Sequence, residues 1–132
     1  MRGLDTNVLL RYLTADEPRQ CAAAERVVEE CRRNEEPLYL SAVVLCELVW
    51  VLSSLYRQTK PQIAGCIEQI LSTAQFSIEH DSLVRVALRS WRSGKGDFSD
   101  HLIGEICRLA GCRDTVTFDR ELRHVSGFSV IA

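Results

Sequence analysis

Residues 38–56 read LYLSAVVLCELVWVLSSLY, and the rest of the fold can be inferred from this stretch. The short apolar run Leu38–Leu40 predicts a strand, and Ser41 stands where a helix N-cap is expected. Twelve of the fifteen residues from 42 to 56 are apolar, and Glu47 is the only charged one. A helix that is apolar on every side packs against the rest of a fold. The stretch therefore predicts a strand followed directly by a long buried helix.

Short strands alternate with helices along the remaining sequence, a pattern typical of an α/β domain. Strands are also predicted over 1–4, 76–78, 114–117 and, at an edge, 128–131. Helices are predicted after Asp5, from Asp16 as a cap to about residue 33, from Lys60, from Asp81 as a cap to about Arg92, and over 97–112. We therefore expect a three-layer α/β/α domain with a central, mainly parallel sheet of four or five short strands.

Length, composition and charge describe an ordinary globular chain. At 132 residues one domain is expected, and 46% apolar with 26% charged residues excludes a disordered or collagen-like protein. A net charge of −2 argues against nonspecific coating of nucleic acid, although it permits metal-bridged acidic chemistry on nucleic acid. No apolar run is long enough to cross a membrane. The first apolar residues are too few, and polar residues follow them too early, for a signal peptide. A cytoplasmic protein is expected.

The cysteines and histidines show no metal-ligand spacing. Six cysteines lie in stretches interpreted as helical, with no C-x-x-C pair, so a zinc site is not expected. Reduced thiols on helix faces are expected, and a regulatory disulfide stays open. No histidine is required for chemistry, and a packing or solvated role is expected for His101, which adjoins Asp100 on a predicted helix.

Acidic residues follow the predicted first and fourth strands at the point where each strand ends. Asp5 follows the first strand and Asp119 the fourth. In open parallel sheets, ligands bind beyond the carboxyl ends of the strands, so both carboxylates are candidates for a site. Each of them could instead cap the helix or turn that follows.

Three further acids are candidates on predicted helices. Burial of Glu47 would require pairing or metal binding of its carboxylate, and the alternatives are a buried Glu–Arg pair or a neutral Glu. Asp97 and Asp100 lie in the first turn of a helix, where the helix dipole favours an acid without any catalytic role. Together with Asp5 and Asp119, these carboxylates could converge on one end of the sheet.

Four motifs, in chain order, resemble those of PIN-domain ribonucleases, in particular the VapC-type toxins of bacterial toxin–antitoxin pairs. They are LDTNVL at 4–9, SAVVLCELVW at 41–50, DFSDHLI at 97–103 and TFD at 117–119. The resemblance covers essentially the whole chain. In the third motif the acid of the family maps to Asp100, with Asp97 as an outer acid. Gly104 and Glu105 partly replace the small residues that usually follow.

The resemblance implies a single PIN-like nuclease domain over 1–132 that hydrolyses RNA phosphodiester bonds with one or two Mg²⁺ or Mn²⁺ ions. The expected catalytic residues and direct or water-mediated metal ligands are Asp5, Glu47, Asp100 and Asp119. The residues expected to orient ligands or water are Thr6, Asn7, Asp97 and Thr117. Oxygen ligands favour these ions over zinc, and a bound ion both neutralises clustered carboxylates and lowers the pKa of a bound water.

One basic helix face is a candidate for holding the RNA backbone. Its members are Arg85, Arg89, Arg92 and, in the glycine loop before Asp97, Lys95. Arg11, one helical turn after Asn7, is a second candidate. An ordinary solvated face is the alternative for the arginines, and no pattern of stacking aromatics predicts which bases are read.

The resemblance also implies two protein partners, a cognate antitoxin whose C-terminal segment covers a groove and a second copy of the chain in a homodimer. Residues 48–56 and the helix after Pro61 carry more apolar residues than a small sheet needs to cover it. These residues could form such an interface or belong to the ordinary core. Two other functions stay open: a housekeeping RNA-processing nuclease without an antitoxin, and a non-catalytic acidic module that binds Mg²⁺ or partners. A receiver domain would need a Lys after its last strand, and a dehalogenase-type phosphatase would need Asp where Asn7 stands.

Overall fold

The computed structural model describes residues 1–132, and the chain divides into two units, Met1–Glu79 and His80–Ala132. The elements of the first unit are β1 (Arg2–Gly3), α1 (Thr6–Leu13), α2 (Pro18–Arg33), β2 (Leu38–Leu40), α3 (Ala42–Ser54), α4 (Lys60–Leu71) and β3 (Phe76–Ile78). Those of the second unit are α5 (Asp81–Ser93), α6 (Phe98–Leu109), β4 (Thr115–Thr117), a 3₁₀ turn (Arg120–Leu122) and β5 (Phe128–Val130).

The first unit is built on a parallel sheet in the order β1-β2-β3. Arg2 pairs with Leu38, and Leu38 pairs with Phe76. Two helices connect each pair of neighbouring strands, as parallel pairing requires. Because all three strands run the same way, the residues that follow them lie at one edge of the sheet, and these include Asp5 and Ser41.

Apolar residues of β2, α3 and α4 form the core of the first unit. Leu38, Leu40, Leu45, Leu48 and Ile67 have no side-chain exposure. Two helices begin where the sequence predicts. At α3, Ser41 Oγ accepts a hydrogen bond from the Val44 amide, and at α4, Thr59 and Gln62 form a capping box on either side of Pro61. Burial of β2 and the cap together direct the chain from the strand into α3.

The second unit packs α5 against α6 and adds a parallel strand pair. The rings of Trp91 and Phe98 meet edge to face, with their centroids 5.8 Å apart. In the strand pair, Thr115 aligns with Phe128. A Cβ at Gly104 would lie 2.8 Å from the Phe128 ring, so this position in α6 needs a glycine for close packing.

The α/β class with parallel strands is confirmed, and four local predictions are corrected. The five strands form two ladders, one of three and one of two strands, rather than one continuous ladder. Glu17, not Asp16, caps α2 by accepting from the Gln20 amide at 2.6 Å. His80, in the left-handed region, occupies the N-cap of α5, and Asp81 lies in its first turn. α6 ends at Leu109, so Cys112 is not helical. No helix is long and apolar enough to cross a bilayer.

Candidate active site

Asp5 lies directly beyond β1 and also caps α1. Its Oδ1 accepts a hydrogen bond from the Val8 amide at 3.0 Å, so the capping alternative is correct for that oxygen. The side chain is exposed, and Oδ2 has no partner in the chain. A cap therefore holds the carboxylate in place while its second oxygen faces outward.

Glu47 is exposed, which corrects the expectation that α3 buries it. α3 leaves one line of residues in solvent, with Val43 and Trp50 more than 60% exposed on either side of Glu47. The alternative of a buried Glu–Arg pair is wrong as well, because the partner of Glu47 is the Thr6 hydroxyl, which donates to Oε1 at 2.9 Å. This bond ties the start of α1 to the middle of α3, so the first and second motifs meet within the first unit.

Asp97 and Asp100 form the first turn of α6, as the sequence predicts. Asp100 Oδ2 accepts from the Asp97 amide at 2.9 Å, which leaves Oδ1 without a partner. Asp97 is the N-cap and is exposed, whereas Asp100 is half-buried. Gly96 precedes them with φ of +87°, and a Cβ there would lie 2.4 Å from Leu122 and 3.4 Å from Asp100 Oδ2. A glycine is therefore required beside this carboxylate.

Asp119 follows β4 and caps the 3₁₀ turn. Its Oδ1 accepts from the Glu121 amide at 2.9 Å, and its own amide donates to Thr117 Oγ1 at 3.0 Å. Thr117 therefore positions the backbone of Asp119. Oδ2 of Asp119 has no partner in the chain.

The four candidate ligands share one arrangement: one oxygen accepts a hydrogen bond from within the chain, and the other has no partner there. They are Asp5, Glu47, Asp100 and Asp119. None of the four forms an ion pair with a basic side chain. Preorganised oxygen donors without counterions suit a hard divalent cation such as Mg²⁺ or Mn²⁺. Within neither unit do three such side chains lie close enough together to hold an ion.

Comparison with known proteins identifies the family of the chain. The family model described as "PIN domain" matches residues 4–127. The chain belongs to the PIN-domain family. It is also similar to a VapC ribonuclease of Aquifex aeolicus (strain VF5), with 29% identity over 131 residues that cover 99% of this chain and 96% of the relative. The matched region of the PIN domain contains all four candidate ligands.

A groove of about 440 Å³ runs alongside Asp5 in the first unit of the PIN domain. It is lined by Asp5, Asn7, Val8, Arg11, Gln20, Ala23, Ala24 and Val27. Asn7 is exposed at its rim, next to the cap. The groove combines an apolar floor from α2 with a polar end at the acid.

Arg11 is engaged within the chain, and this weakens its candidacy as an RNA contact. Its Nε donates to Gln20 at 2.7 Å, and one terminal nitrogen lies 3.4 Å from Asp16. The Tyr56 hydroxyl, and after it that of Thr14, lowers the pKa of Asp16 below its usual range by donating to the carboxylate. Arg11 is therefore one member of a network that joins α1, α2 and the end of α3.

The predicted basic face is exposed on α5 of the PIN domain. Arg85, Arg89 and Arg92 are exposed, and Val84, Leu88 and Trp91 are buried on the opposite side, as predicted. Arg85 donates to Asp81 at 2.7 Å, so part of this face is neutralised locally. The solvated-face alternative therefore fits Arg85 better than a phosphate contact does.

Sequence reasoning missed the structural role of His101. This side chain is buried, its Nε2–H donates to the Lys95 carbonyl at 2.8 Å, and its Nδ1 lies 2.6 Å from Ser90 Oγ. A packing or solvated role was expected; the structure shows packing, and the bond to Lys95 shows in addition that His101 fixes the loop before Asp97. The sequence signal for such a loop was the pair of glycines at 94 and 96 directly before an acid.

Glu79 is a second residue that the sequence analysis did not single out. It follows β3, and its Oε1 accepts from the Ala42 amide at 2.8 Å, which stabilises the start of α3. Burial, followed by the neighbouring Glu79 carboxylate, raises the pKa of Tyr39. Burial also raises the pKa of the Cys46 and Cys66 thiols, which keeps them protonated; all six cysteines are free.

Proposed function

We propose that the chain is a metal-dependent endoribonuclease that hydrolyses single-stranded RNA, and that it acts in the cytoplasm as the toxin of a toxin–antitoxin pair. One observation carries the proposal: four acids in the family's motif positions each keep one oxygen without a partner and have no basic counterion. Carboxylates that served only as helix caps would not need to coincide with all four motifs. Similarity to a VapC ribonuclease supports the assignment.

Asp5, Glu47, Asp100 and Asp119 would together hold one or two Mg²⁺ or Mn²⁺ ions. When bound, the metal neutralises the scissile phosphate and lowers the pKa of an attacking water. The residues of the chain hold the ligands in position. The Thr6 hydroxyl orients Glu47, and backbone amides orient the three aspartates.

Three polar side chains would act around these ligands. Thr117 fixes the backbone of Asp119 through a 3.0 Å hydrogen bond. Asp97, exposed at the start of α6, and Asn7, exposed beside Asp5, would hold water molecules near the ions. Such groups orient ligands and solvent without donating an electron pair to the metal.

The groove beside Asp5 would take the antitoxin, which the toxin assignment requires as a partner. The apolar floor from α2 and the acidic end suit a peptide segment that carries apolar side chains and one cation. A second copy of the chain would bury the exposed apolar residues of α3 and its end, where Trp50 is 65% and Leu55 is 69% exposed.

The decisive experiment is cleavage of a labelled single-stranded RNA by the purified chain. We expect slow cleavage with Mg²⁺ or Mn²⁺, none with EDTA, and none by Asp5→Asn or Glu47→Gln. Glu30→Gln, a matched change at an exposed glutamate of α2 outside the site, should cleave at the wild-type rate. Cleavage that persists in EDTA, or that survives Asp5→Asn, would contradict the proposal.

Mapping RNA ends in cells that express the wild type or Asp5→Asn would identify the substrate. Discrete new ends seen only with the wild type would indicate a toxin that cuts a defined RNA. A small reading frame that overlaps the gene would supply the antitoxin, whereas its absence would favour a housekeeping nuclease.

A further inference from the structure

A basic cleft of about 360 Å³ lies in the second unit, next to the 3₁₀ turn that Asp119 caps. It is lined by Lys95, Arg120, Glu121, Arg123 and His124. Three permanent cations face one carboxylate there, although the chain as a whole carries a net charge of −2. Its volume lies in the range of sites that bind small ligands.

The cleft is assembled from two segments that the fold holds together. Gly96, with φ of +87°, lets the loop press against the buried Leu122 side chain of the 3₁₀ turn. His101 then anchors the loop through the Lys95 carbonyl. Arg123 Nε donates to the Arg120 carbonyl at 3.2 Å, which holds its guanidinium against the turn. The Arg123 guanidinium and the backbone of Lys95 are therefore held by contacts to the main chain and to His101, with no acidic partner.

The cations of the cleft have no counterions in the chain. Arg11, Arg32, Arg85 and Arg108 each lie within 4 Å of a carboxylate, whereas Lys95, Arg120 and Arg123 do not. Like charges gathered in one concave surface repel one another, and an anion that enters the cleft relieves this repulsion. The arrangement is that of an anion site rather than of a salt-bridged surface.

The position of the cleft points to the anion. Asp119 caps the 3₁₀ turn that lines the cleft, and a Cβ on Gly96, the neighbour of Lys95, would lie 3.4 Å from Asp100 Oδ2. The cleft therefore lies close to two of the proposed metal ligands. A polyanion that runs from the cleft to the metal ions would match both charge patterns. We propose that the cleft binds a non-scissile backbone phosphate of the single-stranded RNA substrate and so positions the neighbouring scissile phosphate. The proposal rests on the ribonuclease function proposed above.

A phosphate contact of this kind contributes affinity and register, but it carries no direct information on base sequence. Lys95→Gln/Arg120→Gln is the variant of choice, because both side chains are exposed and neither makes a hydrogen bond in the chain. Its melting temperature should stay within about 2 °C of wild type. Arg33→Gln/Arg113→Gln removes the same charge from exposed, unpaired arginines outside the cleft and is the matched control.

Affinity for a 12-nucleotide single-stranded RNA is measured at several salt concentrations, in the cleavage-deficient Asp5→Asn background with Mg²⁺. We expect the cleft variant to raise Kd about tenfold and to reduce the slope of log K against log salt by about 0.7 for each phosphate that it no longer neutralises. In the catalytically active chain, the cleft variant should raise KM while kcat stays within about twofold of the wild-type value. This pattern is expected when the substrate and the transition state lose the same binding energy. The control should differ from wild type by less than about twofold in every quantity.

A single neutral methylphosphonate, moved along the same RNA, locates the phosphate that the cleft binds. The Asp5→Asn chain should lose affinity at one position beside the scissile bond, and the cleft variant should lose nothing further there. RNA binding by the cleft variant that equals the control overturns the inference, even if the cleft proves to bind an acidic peptide. If the wild-type chain does not cleave RNA at all, the proposed ribonuclease function is wrong. Failure of that proposal and failure of the cleft inference therefore give different results.

Discussion

The side chain of Asp5 shows how one carboxylate can cap a helix and still keep one oxygen free for a further contact. Its two oxygens have different surroundings: the Val8 amide occupies Oδ1, and Oδ2 has no partner. Capping and metal binding, which the sequence presents as alternatives, are therefore compatible at this residue. The same holds for Asp119 at its 3₁₀ turn.

Comparison of Asp5→Ala with Asp5→Asn separates the two roles. Both changes remove the charge, but asparagine keeps an oxygen that can accept from the Val8 amide, so the alanine variant should be less stable by about 1 kcal/mol. Both variants should lose RNA cleavage. Denaturant unfolding in metal-free buffer gives the free energies, and equal stability of the two variants would contradict the capping role.

The link between Asp16 and Tyr56 predicts a pH-dependent contribution to stability. Because hydrogen bonds lower the pKa of Asp16 in the folded state, its stabilisation is present above the ordinary aspartate range near pH ~4 and is lost as pH falls through the folded pKa. Tyr56→Phe should therefore unfold more easily than wild type at pH 7, and the difference should shrink at low pH.

Tyr12→Phe is the matched control for that measurement, because the Tyr12 hydroxyl has no partner in the chain. Its difference from wild type should not change over the same pH range in denaturant titrations. If the stability difference between Tyr56→Phe and wild type stays constant down to pH ~2, the ionisation of Asp16 is not the cause of that difference.

Among the connecting segments, the loop before α6 has the tightest backbone constraints near the candidate site. Gly94 and Gly96 flank Lys95, and a Cβ at either position would meet an atom at less than 3 Å. The buried His101 accounts for the shape of this loop through its bond to the Lys95 carbonyl. A rigid loop here holds Asp97 and Asp100 at the start of α6.

Gly96→Ala should destabilise the chain by roughly 1–3 kcal/mol, because the residue has φ of +87° and a Cβ would clash with Leu122. Gly65→Ala is the control: it lies in α4 with nothing within 4 Å of a new Cβ, and it should stabilise the chain by roughly 0.5–1 kcal/mol. Thermal melts of the two variants should therefore shift in opposite directions, and a neutral Gly96→Ala would argue against a tightly packed loop.

The candidate ligands are divided between the two units of the chain. Asp5 and Glu47 belong to Met1–Glu79, and Asp100 and Asp119 belong to His80–Ala132. The proposed chemistry gathers carboxylates around metal ions. Without metal such carboxylates repel one another, and divalent cations that bind only the folded chain raise its stability.

Asp5→Asn should accordingly raise the metal-free melting temperature, by roughly 4 °C for each kcal/mol of repulsion removed. Mg²⁺ should raise the melting temperature of wild type more than that of the variant. An unchanged or lower metal-free value for Asp5→Asn, read by calorimetry, would count against converging carboxylates.

Local patterns in the chain were sufficient for the order of strands and helices and for the caps at Ser41 and Asp97. These depend on neighbours a few residues away, so periodicity and N-cap chemistry predict them. Exposure is different, because it depends on which distant element covers a face. The helix that holds Glu47 is apolar almost throughout, yet packing leaves Glu47 and Trp50 in solvent and brings Thr6 to the carboxylate. Long-range packing also joined Lys95 to the turn at Arg120, two segments that no local pattern connects.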